Sequence, residues 1–442
     1  AKGVDGMASG AKVYFVDDQV IGQCSDPEQI EAQSPGVLSA NVGASQAAGA
    51  RIDNFSFAQA GSEASYEVAS QDLDTFLEAN TSFLVVAAAG NSGTDSNSDG
   101  NLDFGTVTAP GTAKNVLTVG SSGYPNNALD VSLSVEPNVE NNGIGIISRF
   151  TSGGNGSGQG PAAFTQNGDG GPNWRIKPHV MSPGDETLGN QRLTSPTSCM
   201  SQDDDQTGDV DCSRLTPGIF EGTSFSAAAA TGAAAMVRDY FAQGYAPAGE
   251  AGGAVVDISG IELKAALIAS VDMMEGNPAW RTQGGQLQLA LYTPKHLSTF
   301  TPEQGYGRIQ MNKALPLSSE PGSPTYIHSE VLSVPLAGSV VRTFDVVNAE
   351  EEARCVVSWY DKEATLAGPG EAGTLVRNVD LVVKECGVAC GVDDVQYNGN
   401  FFSEDSNFDS ALLQLDATFA CSSDPGIACT PGPGFDPVVE YG

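Results

Sequence analysis

Long apolar runs are missing from this sequence. No run of about eighteen consecutive apolar residues occurs anywhere in its 442 residues, which excludes a helix spanning a bilayer. Basic residues are scarce: 20 Lys and Arg stand against 54 Asp and Glu, for a net charge of −34. A surface of that sign repels nucleic-acid phosphates and anionic headgroups, so neither nucleic acid nor membrane is expected as a partner. Divalent cations, a salty medium or plain solubility suit it better. Histidine is rarer still, with His179, His296 and His328 the only three. The eight cysteines contain no zinc-spaced pair of pairs, and Cys386/Cys390 is a C-x3-C rather than a redox C-x-x-C. Their even number suggests disulfides and an extracellular or secretory-pathway setting. The opening Ala1-Lys-Gly-Val-Asp-Gly6 has no apolar signal core.

What is present is organised around residues 221–240, a run of small side chains entered through Gly222-Thr-Ser224. Residues 225–237 read as a helix buried on all sides, because almost nothing in them is large. A hydroxyl in the first turn of such a helix sits among unpaired backbone N–H groups and the positive end of the helix dipole, a place that favours a developing negative charge. Ser224 is thus a candidate nucleophile. The competing reading is a helix cap, a common use of Ser and Thr. No Gly-x-Ser-x-Gly elbow surrounds Ser224, which counts against the hydrolases built on one.

Upstream, strands and helices alternate. Residues 11–16, 51–57, 82–89, 116–120 and 177–184 read as strands, and 39–50, 66–80 and 261–274 as helices. That alternation predicts an α/β fold with a parallel sheet covered on both faces. Beyond a Pro/Ser/Gly linker at 316–324 only strand patterns remain, at 330–335, 340–347, 355–360, 376–384 and 411–415. These predict an all-β sandwich or jelly-roll barrel. The expected division is 1–318, 325–420 and a Pro/Gly-rich tail at 421–442.

Asn91 follows the apolar strand 82–89, at the strand end where open α/β sheets place their ligands. Its side-chain amide is a candidate oxyanion donor beside the backbone N–H of Ser224. The alternative is a turn Asn. Asp95, Asn97, Asp99 and Asp103 follow the alternating oxygen pattern of a calcium loop, with Gly100 at the turn and Thr106 where a bidentate Glu would stand. A structural Ca2+ and a plain acidic loop both stay open; no cofactor is required. The acidic run 203–205 reads as a solvated face.

These segments together resemble the subtilisin-family serine proteases (subtilases). Gly222-Thr-Ser-Phe-Ser226 resembles the family's nucleophile motif and Ala88-Ala-Gly-Asn-Ser-Gly93 its oxyanion motif. Asn54-Phe-Ser-Phe-Ala58 resembles its substrate strand, and Arg175-Ile-Lys-Pro-His-Val-Met-Ser-Pro-Gly184 a further segment in which His179 replaces an Asp. Val356-Val-Ser-Trp-Tyr-Asp361, residues 375–383, Tyr397-Asn-Gly-Asn400 and Asp405-Ser-Asn407 resemble the C-terminal β-barrel of the oxidatively stable alkaline proteases. Arg377 and Asn378 depart from that group's Leu-Val-Asn-Asp-Leu-Asp-Leu pattern.

The resemblance implies a serine endopeptidase acting on protein or peptide substrates. Ser224 would be the nucleophile and Asn91 the oxyanion donor, with Ser56, Phe57, Ala58, Ala89, Gly90, Gly222 and Thr223 contacting substrate. The family's catalytic Asp and His come from motifs N-terminal to Asn91. Gly6-Met-Ala-Ser9 resembles the segment just after the His motif, so the Asp and His are expected in an N-terminal segment preceding residue 1, and this chain alone is expected to be inert. The alternative function is a pseudoprotease or an acidic module that binds cations or a protein.

Overall fold

The computed structural model describes residues 7–14, 36–59, 62, 65–93, 105–123, 177–185, 222–274, 304–318, 327–335, 338–344 and 354–365. It also describes short stretches within 276–291 and 376–384, and at 396–398 and 439–441. A six-stranded sheet forms the centre. Its strands are β1 (Ile52–Phe55), β2 (Leu84–Ala88), β3 (Leu117–Gly123), β4 (Val180–Asp185), β5 (Val271–Asp272) and β6 (Arg308–Ile309), in the spatial order β1-β2-β3-β4-β6-β5. Every neighbouring pair is parallel except β6 and β5. Ile52 lies opposite Leu84, Val86 opposite Leu117 and Val119 opposite Val180.

Both faces are covered. Helices α1 (Val37–Ala47) and α2 (Val68–Ala79) bring Leu38, Val42, Leu73 and Leu77 onto Val85 and Ala87 of β2. Helices α3 (Thr223–Ala242) and α4 (Gly260–Ala269) bring Ala227, Ala230, Ala234, Val237, Leu263 and Leu267 onto Leu84 and Val86. Successive side chains of a strand point to opposite faces, so a strand covered on both sides must be apolar throughout. Leu84-Val-Val-Ala-Ala88 meets that requirement with every residue buried; full burial of a Leu or Val contributes about 1.5–3 kcal/mol.

The small residues of α3 serve close approach on one side only. Ala227, Ala230, Ala234 and Val237 are almost wholly buried at the three- and four-residue spacing of one helix face. Ala228 and Asp239 on other faces are exposed, so the helix is not enclosed all round. Helix α4 starts at a capping box, with Ser259 Oγ accepting from Glu262 N–H and the Glu262 side chain returning to the Ser259 N–H.

Polar groups fix the loop ahead of β3. Asp74 accepts hydrogen bonds from the backbone N–H groups of Lys114 and Asn115 at 3.0 and 2.8 Å, and from the Tyr66 hydroxyl at 2.7 Å. Lys177 Nζ donates to Ala113 O and Thr118 Oγ1, both at 2.6 Å. Segment 359–365, which falls within the expected second domain, packs on this body. The Tyr360 hydroxyl donates to Phe83 O at 2.8 Å, and Asp361 pairs with Lys114.

Other expectations fare differently. Residues 11–14, 330–335 and 340–344 form no strand, although 11–16, 330–335 and 340–347 carry strand-like patterns. Past residue 318 the described strands are Val356–Ser358, Val382–Lys384, Gln396–Asn398 and Val439–Tyr441, paired as two separate two-stranded sheets. Among the described residues these strands do not close into a barrel. The expected strand 411–415 lies outside the described residues.

Candidate active site

Three chain segments meet at the carboxyl end of the parallel strands. β1 runs into Ser56-Phe-Ala58, β2 into Ala89-Gly-Asn91, and β4 ends beside the N-terminus of α3. The last junction is tight: Gly222 N–H donates to Gly184 O at 2.9 Å. A Cβ at Gly184 would lie 2.0 Å from Ser226 Oγ and 2.7 Å from Gly222 O, so only glycine lets the helix start so near the strand. Gly222 has φ of 154°, in a range that L side chains rarely adopt.

Asn91 and Thr223 interlock. Asn91 Oδ1 accepts from both the Thr223 N–H and Thr223 Oγ1, each at 2.9 Å, while Thr223 Oγ1 accepts from Gly90 N–H at 3.2 Å. With Oδ1 committed, the Asn91 Nδ2 donor is turned toward the helix start, 3.5 Å from the point where Gly222 would carry a Cβ. Asn91 itself is exposed. Of the first N–H groups of α3, that of Thr223 goes to Asn91 and that of Phe225 to Gly222 O. Among the described residues the Ser224 N–H between them has no acceptor.

Ser224 and Ser56 exchange two hydrogen bonds. Ser224 Oγ donates to Ser56 O at 2.8 Å, and Ser56 Oγ donates to Ser224 O at 2.8 Å. Phe57 and exposed Ala58 follow before Gln59 N–H is tied to Ala109 O at 2.8 Å. Ala89 is held on both sides, its N–H by Val119 O and its O by the Thr108 N–H. With the Gly90 N–H bonded to Thr223 Oγ1, Ala89 and Gly90 can form a wall of the crevice but cannot lend these groups to a ligand.

The structure thus brings together Ser224, Asn91, Ser56, Phe57, Ala58, Ala89, Gly90, Gly222 and Thr223. Asp95, Asn97, Asp99 and Asp103 lie outside the described residues, and among the described residues no group of His, Cys, Asp and Glu side chains could hold a metal ion. No described histidine reaches Ser224. His179 precedes β4, buried, with Nδ1 accepting from Thr118 N–H at 2.8 Å. The site lies at the far end of that strand, about 16 Å away for five residues of extended chain. His328 lies 3.8 Å from Glu330, and its neighbour Ser329 donates to Glu262 Oε1 in the first turn of α4; His296 is outside the described residues. Of the eight cysteines, Cys355 is described, as a free thiol.

A serine at a helix N-terminus, a carboxamide at the end of a parallel strand and a short segment beside both thus meet at the carboxyl end of the sheet in an α/β fold. The family comparison is more specific: residues 1–307 match the Subtilase family of S8 peptidases, and the chain belongs to that family. Two curated relatives are serine protease/ABC transporter B family proteins of Dictyostelium discoideum. Over 226 residues the chain is 26% identical to tagA, covering 47% of this chain. Over 370 residues it is 24% identical to tagD, covering 72%. The chain spans only 11% and 19% of the length of those relatives. Among solved structures, the prenylagaramide maturation protease PagA is 16% identical with a TM-score of 0.36, over 66% of this chain and 70% of that one. Sphericase is 16% identical with a TM-score of 0.34, over 62% of each.

Proposed function

We propose that this protein is a serine endopeptidase with Ser224 as its nucleophile, Asn91 Nδ2 and the Ser224 N–H as its oxyanion hole, and residues 56–58 as the strand that aligns substrate. The observation that carries this reading is the pair of hydrogen bonds that Asn91 Oδ1 accepts from the Thr223 N–H and Oγ1, both at 2.9 Å. A carboxamide held by its oxygen presents its N–H groups in a fixed direction, which is what preorganised stabilisation of a tetrahedral oxyanion requires.

In the reaction, Ser224 Oγ attacks the scissile carbonyl carbon and its proton passes to a base. The carbonyl oxygen takes the negative charge between Asn91 Nδ2 and the Ser224 N–H, collapse expels the amine as the base returns the proton to its nitrogen, and water then hydrolyses the acyl group from Ser224 Oγ. The base is an imidazole in the proposal, and none of the described histidines reaches Ser224. In the resting structure the hydroxyl donates to Ser56 O instead, which also favours a second reading, a non-catalytic subtilase-like module.

Kinetics separate the two. In the full product of the gene, hydrolysis of an unstructured protein substrate should vanish in Ser224→Ala. Asn91→Leu should lower kcat about 10²–10³-fold with little change in KM. Hydrolysis that survives Ser224→Ala would reject the proposal, and absence of any hydrolysis would favour the second reading.

A further inference from the structure

We infer that Asn54 is a positioning residue for the nucleophile, acting through the side chain of Ser56. The inference rests on the peptidase reading of Ser224. Along β1 the side chains alternate: Ile52 packs with the α3 cluster and Phe55 with the α1 and α2 cluster. Asn54 shares the face of Ile52 and points toward α3. There Asn54 Nδ2 donates to Ser56 Oγ at 2.8 Å, and Ser56 Oγ lies 2.8 Å from Ser224 O.

The polarity of this chain is forced. A carbonyl oxygen only accepts, so the single hydroxyl proton of Ser56 is committed to Ser224 O, and the group behind the hydroxyl must be a donor. The Asn54 amide nitrogen is that donor. Its Oδ1 faces Thr231 Oγ1 at 3.2 Å, but the Thr231 proton has a nearer acceptor in Ala227 O at 2.8 Å. Thr231 is therefore the weaker end of the chain, and β1 is the firm one.

The acceptor is the carbonyl of the nucleophile's own residue. Asn54 and Ser56 together fix the peptide plane that follows Ser224, and this bond stays in place when the Ser224 hydroxyl leaves Ser56 O to attack a substrate. Misplacing a reacting group by about 1 Å costs on the order of 10²-fold in rate. Loss of this anchor is therefore expected in turnover and not in substrate affinity.

Asn54→Asp tests it, because the side chain keeps its size while its amide donor is replaced by a charged carboxylate acceptor. In the full gene product, kcat of Asn54→Asp should fall about 10- to 100-fold with KM within twofold and the thermal midpoint little changed. Thr231→Val should lose far less. Ser56→Ala should cost little more once Asn54→Asp is present, since both act through one bond. Parental kcat in Asn54→Asp, or a loss confined to KM, would overturn the inference. If the parent shows no Ser224-dependent turnover, the peptidase reading fails and the crystal structure of Asn54→Asp decides. A Ser56 hydroxyl turned from Ser224 O to the introduced carboxylate supports the anchor, and one still bonded to Ser224 O overturns it.

Discussion

Lys114 Nζ and Asp361 Oδ2 lie 2.7 Å apart with both side chains wholly buried, joining residues that stand 247 positions apart. Asp361 also accepts from the Val376 and Arg377 N–H groups at 2.7 and 2.8 Å, and its backbone pairs with the Asn115 side chain in both directions. The segment around Asp361 is thereby anchored to the sheet domain. Removing one partner of a buried pair leaves an uncompensated charge, at about 3–5 kcal/mol. Asp361→Ala should lower stability by that amount in urea unfolding, whereas Glu78→Ala, breaking the exposed pair with Arg377, should change it by less than about 1 kcal/mol. Equal effects would argue against this docking.

Gly184 sets the distance between β4 and the start of α3. A methyl group there meets Ser226 Oγ and backbone at less than normal contact, so Gly184→Ala must displace the helix start that carries Ser224. Overpacking of this kind costs about 1–3 kcal/mol. The variant should fold with a lower thermal midpoint and lose kcat. Unchanged kinetics would show that the helix start is not held against the strand.

Asp53 gives a pH dependence of known sign. Burial raises its carboxyl above the ordinary value of 3.8, against lowering hydrogen bonds from Ser45 and the Asn54 N–H. A carboxyl with a raised native pKa is protonated more readily in the folded state than in the unfolded one. Its penalty is therefore full at pH values above the native pKa, shrinks as the pH falls through that pKa, and is gone below 3.8. Asp53→Asn should raise the thermal midpoint at neutral pH, with the gain shrinking as the pH approaches 4. A gain independent of pH would point to packing instead.

The half-buried Cys355 thiol should react slowly in the folded protein. Burial alone pushes its pKa above the ordinary value, which lowers the thiolate fraction that reacts. Alkylation at pH 8 followed by peptide mapping should label Cys355 more slowly in the native protein than in urea; equal rates would contradict the raised pKa.

The sheet domain is well marked in the sequence because its signals are local. The apolar run 84–88 announces a buried strand and the Ala-rich spacing of α3 a close-packed helix, though one enclosed on one side rather than all round. The bonds that join Ser56 and Asn54 to α3 leave no periodicity, since hydroxyl and carboxamide contacts between distant segments impose no spacing on either. Lys114, Lys177, Lys264 and Asp361 are wholly or almost wholly buried, yet charged residues read as surface until a partner is seen. The strand-like patterns at 330–335 and 340–344 misled for a related reason. Val331, Val334, Val341 and Phe344 are exposed, and alternation forms a strand only where a neighbour pairs with it.

The central claim is that Ser224 is the nucleophile. Its most direct test is peptide mapping by mass spectrometry of the full gene product after reaction with a peptidyl phosphonate. A covalent phosphonyl adduct on the peptide containing Ser224, absent in Ser224→Ala, is the result expected here. Hydrolysis that persists in Ser224→Ala, with the adduct on another residue, would contradict it.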